Sequence, residues 1–447
     1  MSFGNFNFIL SLPFFILCFW MMPKSAQKPL LLVLSFIVYM AAGLHDFLLL
    51  FAAVSINWAV PRFWNRPKVT MPLMVAVNIV FLGFFKYRLF LAGLFTVARP
   101  ATLIIPLGIS FYVFQLISYQ VEIRRGQVSG QQSYLNFFLY IFFFPHHQAG
   151  PIMRPHDFLI NFSRPKNFYE SRLVTGMTLF LWGLFKKVWI ADLIAPTVDS
   201  TYLTFHMSGG RSGNLVLMGV LYGIQLYADF SGYSDMAVGI GRLFGFKFAR
   251  NFHQPYVAFG PAEFWRRWHV TLSQWLRDFV YIPLGGNRKG AAMTALTLMA
   301  TMLLGGLWHG AGWNFLVWGF LHGLYLLIER VLPVPAGAFH RWARYVAFQV
   351  LAMLAWVPFR ESDMGAVWHA LGRHSAWLGS QTDLGLKLLV GIVLFSWLEN
   401  ALERRFVKLA SWTIRMPLWR FSCVYGLLLF LVLVGASHAT TFIYQRF

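Results

Sequence analysis

One histidine of this sequence lies inside a glycine-rich segment that is flanked on both sides by membrane-length apolar runs. The segment Gly305–Asn314 reads GGLWHGAGWN and contains His309. An ionisable group inside an apolar run is costly and is by default a candidate functional residue. The four glycines, each costing a helix about 1 kcal/mol relative to alanine, indicate a bent backbone or the close approach of a ligand. A hydrogen-bonded core histidine with glycines for close helix packing explains the segment equally well.

Several kinds of chemistry at such a site are unsupported, because the sequence lacks their motifs. It contains no GxxxxGK[ST] phosphate loop, no GxGxxG nucleotide fingerprint, no GxSxG serine-hydrolase elbow and no HExxH zinc motif. His146 and His147 are adjacent and cannot hold one metal ion from one face of a helix, so we expect no metal site. A histidine without a nucleophile or a metal fits general base catalysis, in which neutral imidazole takes a proton from a hydroxyl that attacks an acyl carbon.

A second histidine, His322, follows His309 by thirteen residues. On one straight helix thirteen steps rotate by about 220° and rise by roughly 20 Å, so the two side chains could not share a site. This geometry favours an interpretation of His322 as a polar residue near the opposite membrane face. If the helix breaks at the glycines, His309 and His322 could share a site after all.

Two carboxylates, Asp229 and Asp235, lie in the largely apolar segment Gln225–Asp235. A carboxylate in such surroundings needs a partner or becomes protonated. The candidate partners are Arg242, Arg266, Arg267 and Arg277. A buried ion pair that joins two helices is at least as consistent with this pattern as a catalytic role.

The composition indicates whether water or lipid surrounds the helices that position these residues. The 447 residues are 58% hydrophobic and only 12% charged, against about 25% charged in soluble domains, which predicts a protein of the lipid bilayer.

The net charge of +21 is explained by basic residues on the cytoplasmic side of membrane helices or by an anionic partner. Nucleic acid is not expected as a partner, because the basic residues stand between apolar spans. Cys18 and Cys423 lie in apolar runs and are interpreted as small buried side chains.

Apolar runs divide the whole chain into candidate membrane helices. They lie near residues 6–22, 30–44, 46–60, 71–86, 101–119, 173–193, 214–229, 292–305, 311–328, 345–358, 384–400 and 420–437. Several are shorter than the roughly 20 residues of a straight span, which indicates half-helices or re-entrant segments. The sequence thus predicts an all-α polytopic membrane protein that forms a single domain over residues 1–447.

Two longer stretches, 137–172 and 245–290, resemble neither spans nor ordinary loops. Both mix aromatic residues, proline, histidine and arginine, and the second contains Glu263–His269 with the sequence EFWRRWH. Tryptophan, arginine and histidine together are typical of a helix that lies in the membrane interface. We therefore expect an interfacial helix at this position.

Six motifs, taken in order, resemble the membrane-bound O-acyltransferase family, and within it the bacterial branch typified by the membrane proteins of alginate O-acetylation. They are Pro106–Tyr112 (PLGISFY), Phe144-Pro145 followed by Ala149–Ile152 (AGPI), Asp229–Asp235 (DFSGYSD), Phe264–His269 (FWRRWH), Tyr281–Asn287 (YIPLGGN) and Gly306–Gly310 (GLWHG). The motifs cover most of residues 100–330, which we take as the motif core. In one block His146-His147-Gln148 stands where the family pattern has Gln-Leu-Ile.

The resemblance implies a bundle of about eleven transmembrane helices, with re-entrant and interfacial helices around a thin central region. It implies His309 as the invariant histidine, acting as general base or proton shuttle, and His269 as the second polar residue that assists it. The residues implied to line the pocket or to meet the acetyl donor are Trp265, Arg266, Arg267, Trp268, Arg277, Asp229, Asp235, Trp308, Trp313 and Asn314, with His322 as a further candidate.

The implied activity is transfer of an acetyl group to an exported polysaccharide at the bacterial inner membrane. The donor would be acetyl-CoA or an acetyl carrier, used as a substrate and not as a bound cofactor. Membrane lipid, periplasmic acetylation proteins and the polysaccharide are the expected partners. The departure at His146–Gln148 leaves alginate, cellulose and other exopolysaccharides open as acceptors. A transporter or flippase, and a scaffold subunit of an export complex, are the alternatives, although the inverted repeats typical of transporters are not found.

Overall fold

The described part of the chain is helical, as the sequence predicts. The computed structural model describes residues 3, 6–40, 43–64, 66–95, 105–147, 149–332, 337–413, 423, 425–430 and 434. Within these ranges the regular structure is α-helix, with short π and 3₁₀ segments and no strand. The chain forms two compact units, of which the first comprises residues 1–184, 233–249 and 416–429 and the second residues 185–232, 250–415 and 430–447.

The first unit contains the helices of the N-terminal part of the chain. They are α1 Phe6–Met21, α2 Lys24–Met40, α3 Leu44–Phe63, α4 Pro67–Leu82, a π segment Gly83–Tyr87, α5 Arg88–Leu94, α6 Ile109–Arg124, α7 Tyr134–Phe142, α8 Phe144–His147, α9 Pro155–Ser163 and α10 Glu170–Phe185. In α6 the helix begins only after Gly108, whose φ of 74° lies in the left-handed region that glycine tolerates. Residues 105–108 of the run predicted near 101–119 therefore precede the helix, and residues 101–104 lie outside the described residues.

The second unit contains the helices that carry the motif core. They are a π segment Lys186–Asp192, α11 Leu193–Met207, α12 Leu215–Leu243 up to residue 232, a 3₁₀ turn Pro255–Val257, α13 Pro261–Arg267, α14 Val270–Leu276, a π segment Arg277–Tyr281, α15 Gly290–His309, α16 Trp313–Val331, α17 Ala338–Arg360, α18 Met364–Leu371, a 3₁₀ turn His374–Ala376 and α19 Ser380–Thr413. Every residue of α12 from Leu215 to Ser234 is buried.

Seven helical stretches of the described residues are long and apolar enough to cross a membrane. They are Leu44–Phe63, Pro67–Leu94, Glu170–Met207, Leu215–Leu243, Gly290–His309, Ala338–Arg360 and His374–Leu402. The prediction of a polytopic all-α membrane protein is thus confirmed. The figure of about eleven spans, the thin central region and the single domain over 1–447 stay predictions, and most of the run at 420–437 lies outside the described residues.

The segment predicted as one interfacial helix is broken in the structure. α13 ends at Arg267 and α14 begins at Val270, so the chain turns at Trp268 and His269. Both of these side chains are buried, whereas Arg266 is exposed. The prediction of a continuous helix lying flat in the interface was wrong here, because its aromatic residues pack inside the second unit.

α15 and α16 form an antiparallel hairpin whose backbones touch. A Cβ atom on Gly319 would lie 2.5 Å from the carbonyl oxygen of Met302, and one on Gly306 would collide with the carbonyl oxygen of Phe315. Small residues that let helix backbones approach closely are the usual means of helix association in membranes. These glycines therefore hold the hairpin together.

We expect Gly319→Ala to destabilise the hairpin by about 1–3 kcal/mol, the usual cost of overpacking a well-packed core. The added methyl group would have to displace the backbone of α15. Thermal unfolding of the purified protein in detergent, followed by circular dichroism, measures the loss. Gly391→Ala in α19 is the matched control, because a Cβ there meets no atom within 4 Å. Equal melting temperatures for both variants would contradict the assignment.

Candidate active site

His309 is the last residue of α15 and stands at the turn of the hairpin. Gly310 and Gly312 adopt extended backbone conformations between the two helices, and α16 begins at Trp313. His309 is buried, with 3% of its surface exposed. The glycines of this segment therefore serve both interpretations drawn from the sequence, since Gly306 permits close packing and Gly310 and Gly312 break the helix.

Aromatic rings surround the His309 imidazole. Its ring centroid lies 4.9 Å from that of Trp308, 5.0 Å from that of Trp318 and 5.0 Å from that of Phe359. Trp318 and Phe359 come from α16 and α17, so three helices build this wall. Such a wall excludes water from the imidazole, which strengthens any electrostatic interaction made there.

His269 lies in the same group of rings, although it is 40 residues away in sequence. It is fully buried, and its ring centroid lies 4.7 Å from that of Phe230 and 5.7 Å from that of Trp308. The structure therefore places His269 and His309 against the same indole. Burial lowers the pKa of His269 to about 3, so its imidazole is neutral at pH 7.

The backbone of His269 is unusual for a residue other than glycine. Its φ of 40° lies in the left-handed region, which costs most side chains on the order of 1 kcal/mol. Neighbouring contacts hold it there: the Val270 N–H donates to the Asn251 carbonyl at 2.9 Å, and the Thr271 hydroxyl donates to Asn251 Oδ1 at 2.6 Å. Residues held in such conformations cluster at functional sites. No sequence pattern indicated this feature.

His322 belongs to this cluster as well, which differs from the sequence expectation. Because the helix breaks after His309, the straight-helix argument does not apply, and both histidines contact Trp318. The His322 ring lies 4.8 Å from Trp318 and 5.2 Å from Trp265, and it stacks on Phe264 at 5.9 Å. It is fully buried, and no described residue forms a hydrogen bond with either ring nitrogen. We call His269, Trp308, His309, Trp318 and His322 the histidine cluster.

The predicted tryptophans do not all line this cluster. Trp268 is buried against Trp356 at 4.9 Å, and Trp265 contacts Trp318 at 5.7 Å. Trp313, in contrast, is 60% exposed at the start of α16 and lies outside the buried histidine cluster, so its place in the pocket wall stays a prediction. Its neighbour Asn314 is buried.

The predicted arginines form ion pairs of their own. Arg267 donates to Glu263 at 2.8 Å through Nη2, and Arg277 donates to Asp278 at 2.7 Å through Nε. Arg266 is exposed on α13. The structure thus pairs Arg267 and Arg277 with sequence neighbours and not with Asp229.

Asp229 instead belongs to a buried charge network that sequence reasoning missed. The Lys187 ammonium donates to Asp229 and to Asp192, each at 2.8 Å, and all three side chains are almost fully buried. Lys186, its neighbour, pairs with Glu399 at 3.1 Å, and Glu399 accepts from the Tyr227 hydroxyl at 2.5 Å. Two consecutive lysines inside the apolar run at 173–193 were the available signal.

The two lysines lie in the π segment Lys186–Asp192. π-turns inside α-helices are frequent at functional sites. The network gives Asp229 a structural partner, as one of the two sequence interpretations proposed. Asp235 lies in the first unit and is half-buried. Among the described residues, no group of three or more His, Cys, Asp or Glu side chains could hold a metal ion.

Comparison with known proteins follows the motif core. The family model of the membrane-bound O-acyltransferases matches residues 126–334. A protein named probable alginate O-acetylase in Azotobacter vinelandii is 40% identical over 383 residues, covering 82% of this chain and 76% of that protein. The peptidoglycan O-acetyltransferase of Helicobacter pylori is 35% identical over 354 residues, covering 70% and 66%. The teichoic acid D-alanyltransferase of Bacillus subtilis is 29% identical over 238 residues, covering 50% and 59%.

We expect Lys187→Met to destabilise the protein strongly, by about 3–5 kcal/mol, because it leaves two buried carboxylates without this cation. Unfolding of the reconstituted protein by denaturant measures the change in free energy. Lys387→Met, at an exposed position of α19, is the control and should stay within about 0.5 kcal/mol of the wild type. A Lys187→Met protein as stable as the control would show that the network contributes nothing.

Proposed function

Because this chain belongs to the membrane-bound O-acyltransferase family and is an O-acetyltransferase of the bacterial inner membrane, we propose that it moves an acetyl group from a cytoplasmic donor to hydroxyl groups of an exported polysaccharide. The observation that carries this proposal is the packing of His269 and His309 against one indole, Trp308. The chain thereby brings two buried imidazoles together, on separate elements, at the end of the α15–α16 hairpin.

His309 acts as the general base in this proposal. Its imidazole takes the proton of an acceptor hydroxyl while the hydroxyl oxygen forms a bond to the acetyl carbon. The bond from that carbon to the donor then breaks, and the proton passes from His309 to the leaving group. General base catalysis of this kind contributes about 10²–10⁴-fold to a rate. The rings of Trp318 and Phe359 support this role, because they exclude water that would otherwise hydrolyse the acetyl donor.

His269 orients and assists His309 across Trp308. It stays uncharged at neutral pH, so it can accept a hydrogen bond from a hydroxyl without adding a positive charge beside the base. The strained backbone of His269 fixes the direction of its ring. These properties support a positioning role.

The acetyl donor is acetyl-CoA or an acetyl carrier. Arg266 and Arg277 are exposed basic side chains near the ends of α13 and α14, and guanidinium groups match phosphate geometry well. Arg267 and Arg277 each have a carboxylate partner, but the Arg267 side chain is only 28% exposed against 58% for Arg277, so Arg267 is a weaker candidate for the same contact. We assign Arg266 and Arg277 to the phosphates of the donor.

The acceptor is a polysaccharide outside the cytoplasm, reached with the help of periplasmic acetylation proteins. The support is the similarity to relatives named for alginate and for peptidoglycan, which both contain polysaccharide chains. Cellulose and other exopolysaccharides belong to the same class of acceptor. Transfer to a sugar hydroxyl requires the base that His309 supplies.

We expect His309→Ala to lower the acetyl content of the exported polymer by at least about a hundredfold, because the transfer step loses its base. Mass analysis of polymer from a strain that carries only the variant measures this. The membrane level of the protein is recorded in parallel, and His369→Ala, at an exposed position of α18, is the control.

The alternatives give different results in the same strain. Lost secretion with normal acetylation of the retained polymer would indicate a transporter instead. Normal secretion and normal acetylation would indicate a scaffold. Either result would contradict the proposal.

A further inference from the structure

The first unit contains a basic pocket that the proposed reaction does not use. It is a cavity of about 320 Å³ between the start of α2, the end of α9 and the segment that follows α9. Its basic side chains are Lys24, Lys28, Arg164 and Lys166, and no acidic residue lines it. We call this cavity the basic pocket.

The polar partners of these cations are neutral. Lys24 donates to Asn167 Oδ1 at 3.2 Å, Lys28 donates to Asn136 Oδ1 at 3.1 Å, and Lys166 donates to a backbone carbonyl. Within the described ranges no carboxylate lies within ion-pair distance, 4.0 Å, of any of the four. The charges of Lys24, Lys28 and Lys166 are therefore solvated by amides and not neutralised.

Two of the cations also lie over aromatic rings that form the pocket wall. Lys28 Nζ is 5.5 Å from the centroid of Phe162, and Lys166 Nζ is 4.5 Å from that of Phe246. These contacts favour each cation but leave its charge in place. They also fix the ammonium groups at the edge of the cavity.

The positive charges around the pocket repel one another. Burial and then the charges of Arg172, Lys28 and Arg164 lower the pKa of Lys166 to about 8. When an anion binds among like positive charges held together in this way, their electrostatic free energy falls. The positive-inside rule explains why basic residues are on one side of the membrane, but not why four of them surround one cavity.

We propose that the basic pocket binds a phosphate group, carried by an anionic phospholipid headgroup or by a soluble phosphate compound. The pocket measures about 320 Å³, which is the volume of about ten water molecules at roughly 30 Å³ each. This is room for a diphosphate or a glycerophosphate headgroup. Phe19 and Leu31 supply an apolar wall beside the cations. Such a wall suits the end of a lipid headgroup that joins the acyl chains. Basic pockets between membrane helices are known to hold such headgroups. This site is independent of the histidine cluster.

The test measures binding to the full-length protein in neutral detergent by microscale thermophoresis. The probes are dioctanoyl phosphatidylglycerol, dioctanoyl phosphatidylcholine with the same chains, and inorganic pyrophosphate. We expect saturable binding of an anionic probe, weakened at least about tenfold in the Lys28→Gln/Lys166→Gln variant. Arg164→Gln, an exposed position, should weaken binding without affecting folding. Lys68→Gln, exposed on α4 and outside the pocket, is the matched control and should bind like the wild type.

The probes distinguish the two sources of phosphate. Binding of phosphatidylglycerol but not of pyrophosphate assigns the pocket to a lipid headgroup, and binding of pyrophosphate assigns it to a soluble phosphate. If neither anionic probe binds saturably, or if Arg164→Gln and the folded double variant bind as the wild type does, the proposal is overturned. Polymer acetylation in the same variants is measured separately, so failure here leaves the proposed function untouched.

Discussion

The backbone contact between α15 and α16 positions the groups on which the candidate site depends. Gly319 and Gly306 bring the two helices so close that a methyl group on either would meet a carbonyl oxygen. Because the helices are this close, the short extended turn after His309 can join them, and His309 and His322 both reach the Trp318 ring. A looser hairpin would separate these two imidazoles, since Trp318 is their shared contact.

The second unit accommodates polar groups in two different ways. Around Lys187 the buried charges are paired, because one ammonium group lies 2.8 Å from each of two carboxylates. In the histidine cluster the polar groups are surrounded by rings instead, and His269 and His322 form no hydrogen bond to a described residue through their ring nitrogens. A buried polar atom without a partner costs about 1–3 kcal/mol. The first arrangement gives each buried charge a partner, whereas the second leaves imidazole nitrogens that a substrate hydroxyl can meet in the proposed reaction.

Much of the fold and part of the site could be predicted from the sequence. Composition gave the membrane and the all-α class, and the ordered motifs gave the family. His309 was found because an ionisable residue among glycines and apolar residues is conspicuous. His269 followed only from motif resemblance, since its burial depends on a break between α13 and α14 that helix periodicity does not reveal. His322 was judged on a straight helix, and Lys187 was passed over, because both are placed by tertiary contacts distant in sequence.

In the proposed mechanism His269 and His309 act as one unit at Trp308. Acetyl transfer by the purified protein in proteoliposomes tests it directly, with the rate measured for His309→Ala, His269→Asn and the double variant. Asparagine is chosen because it tolerates the left-handed backbone at this position. The effects of residues that act as a unit are not additive, so we expect the double variant to be no slower than the slower single variant. A double variant whose loss equals the product of the two single losses would contradict it.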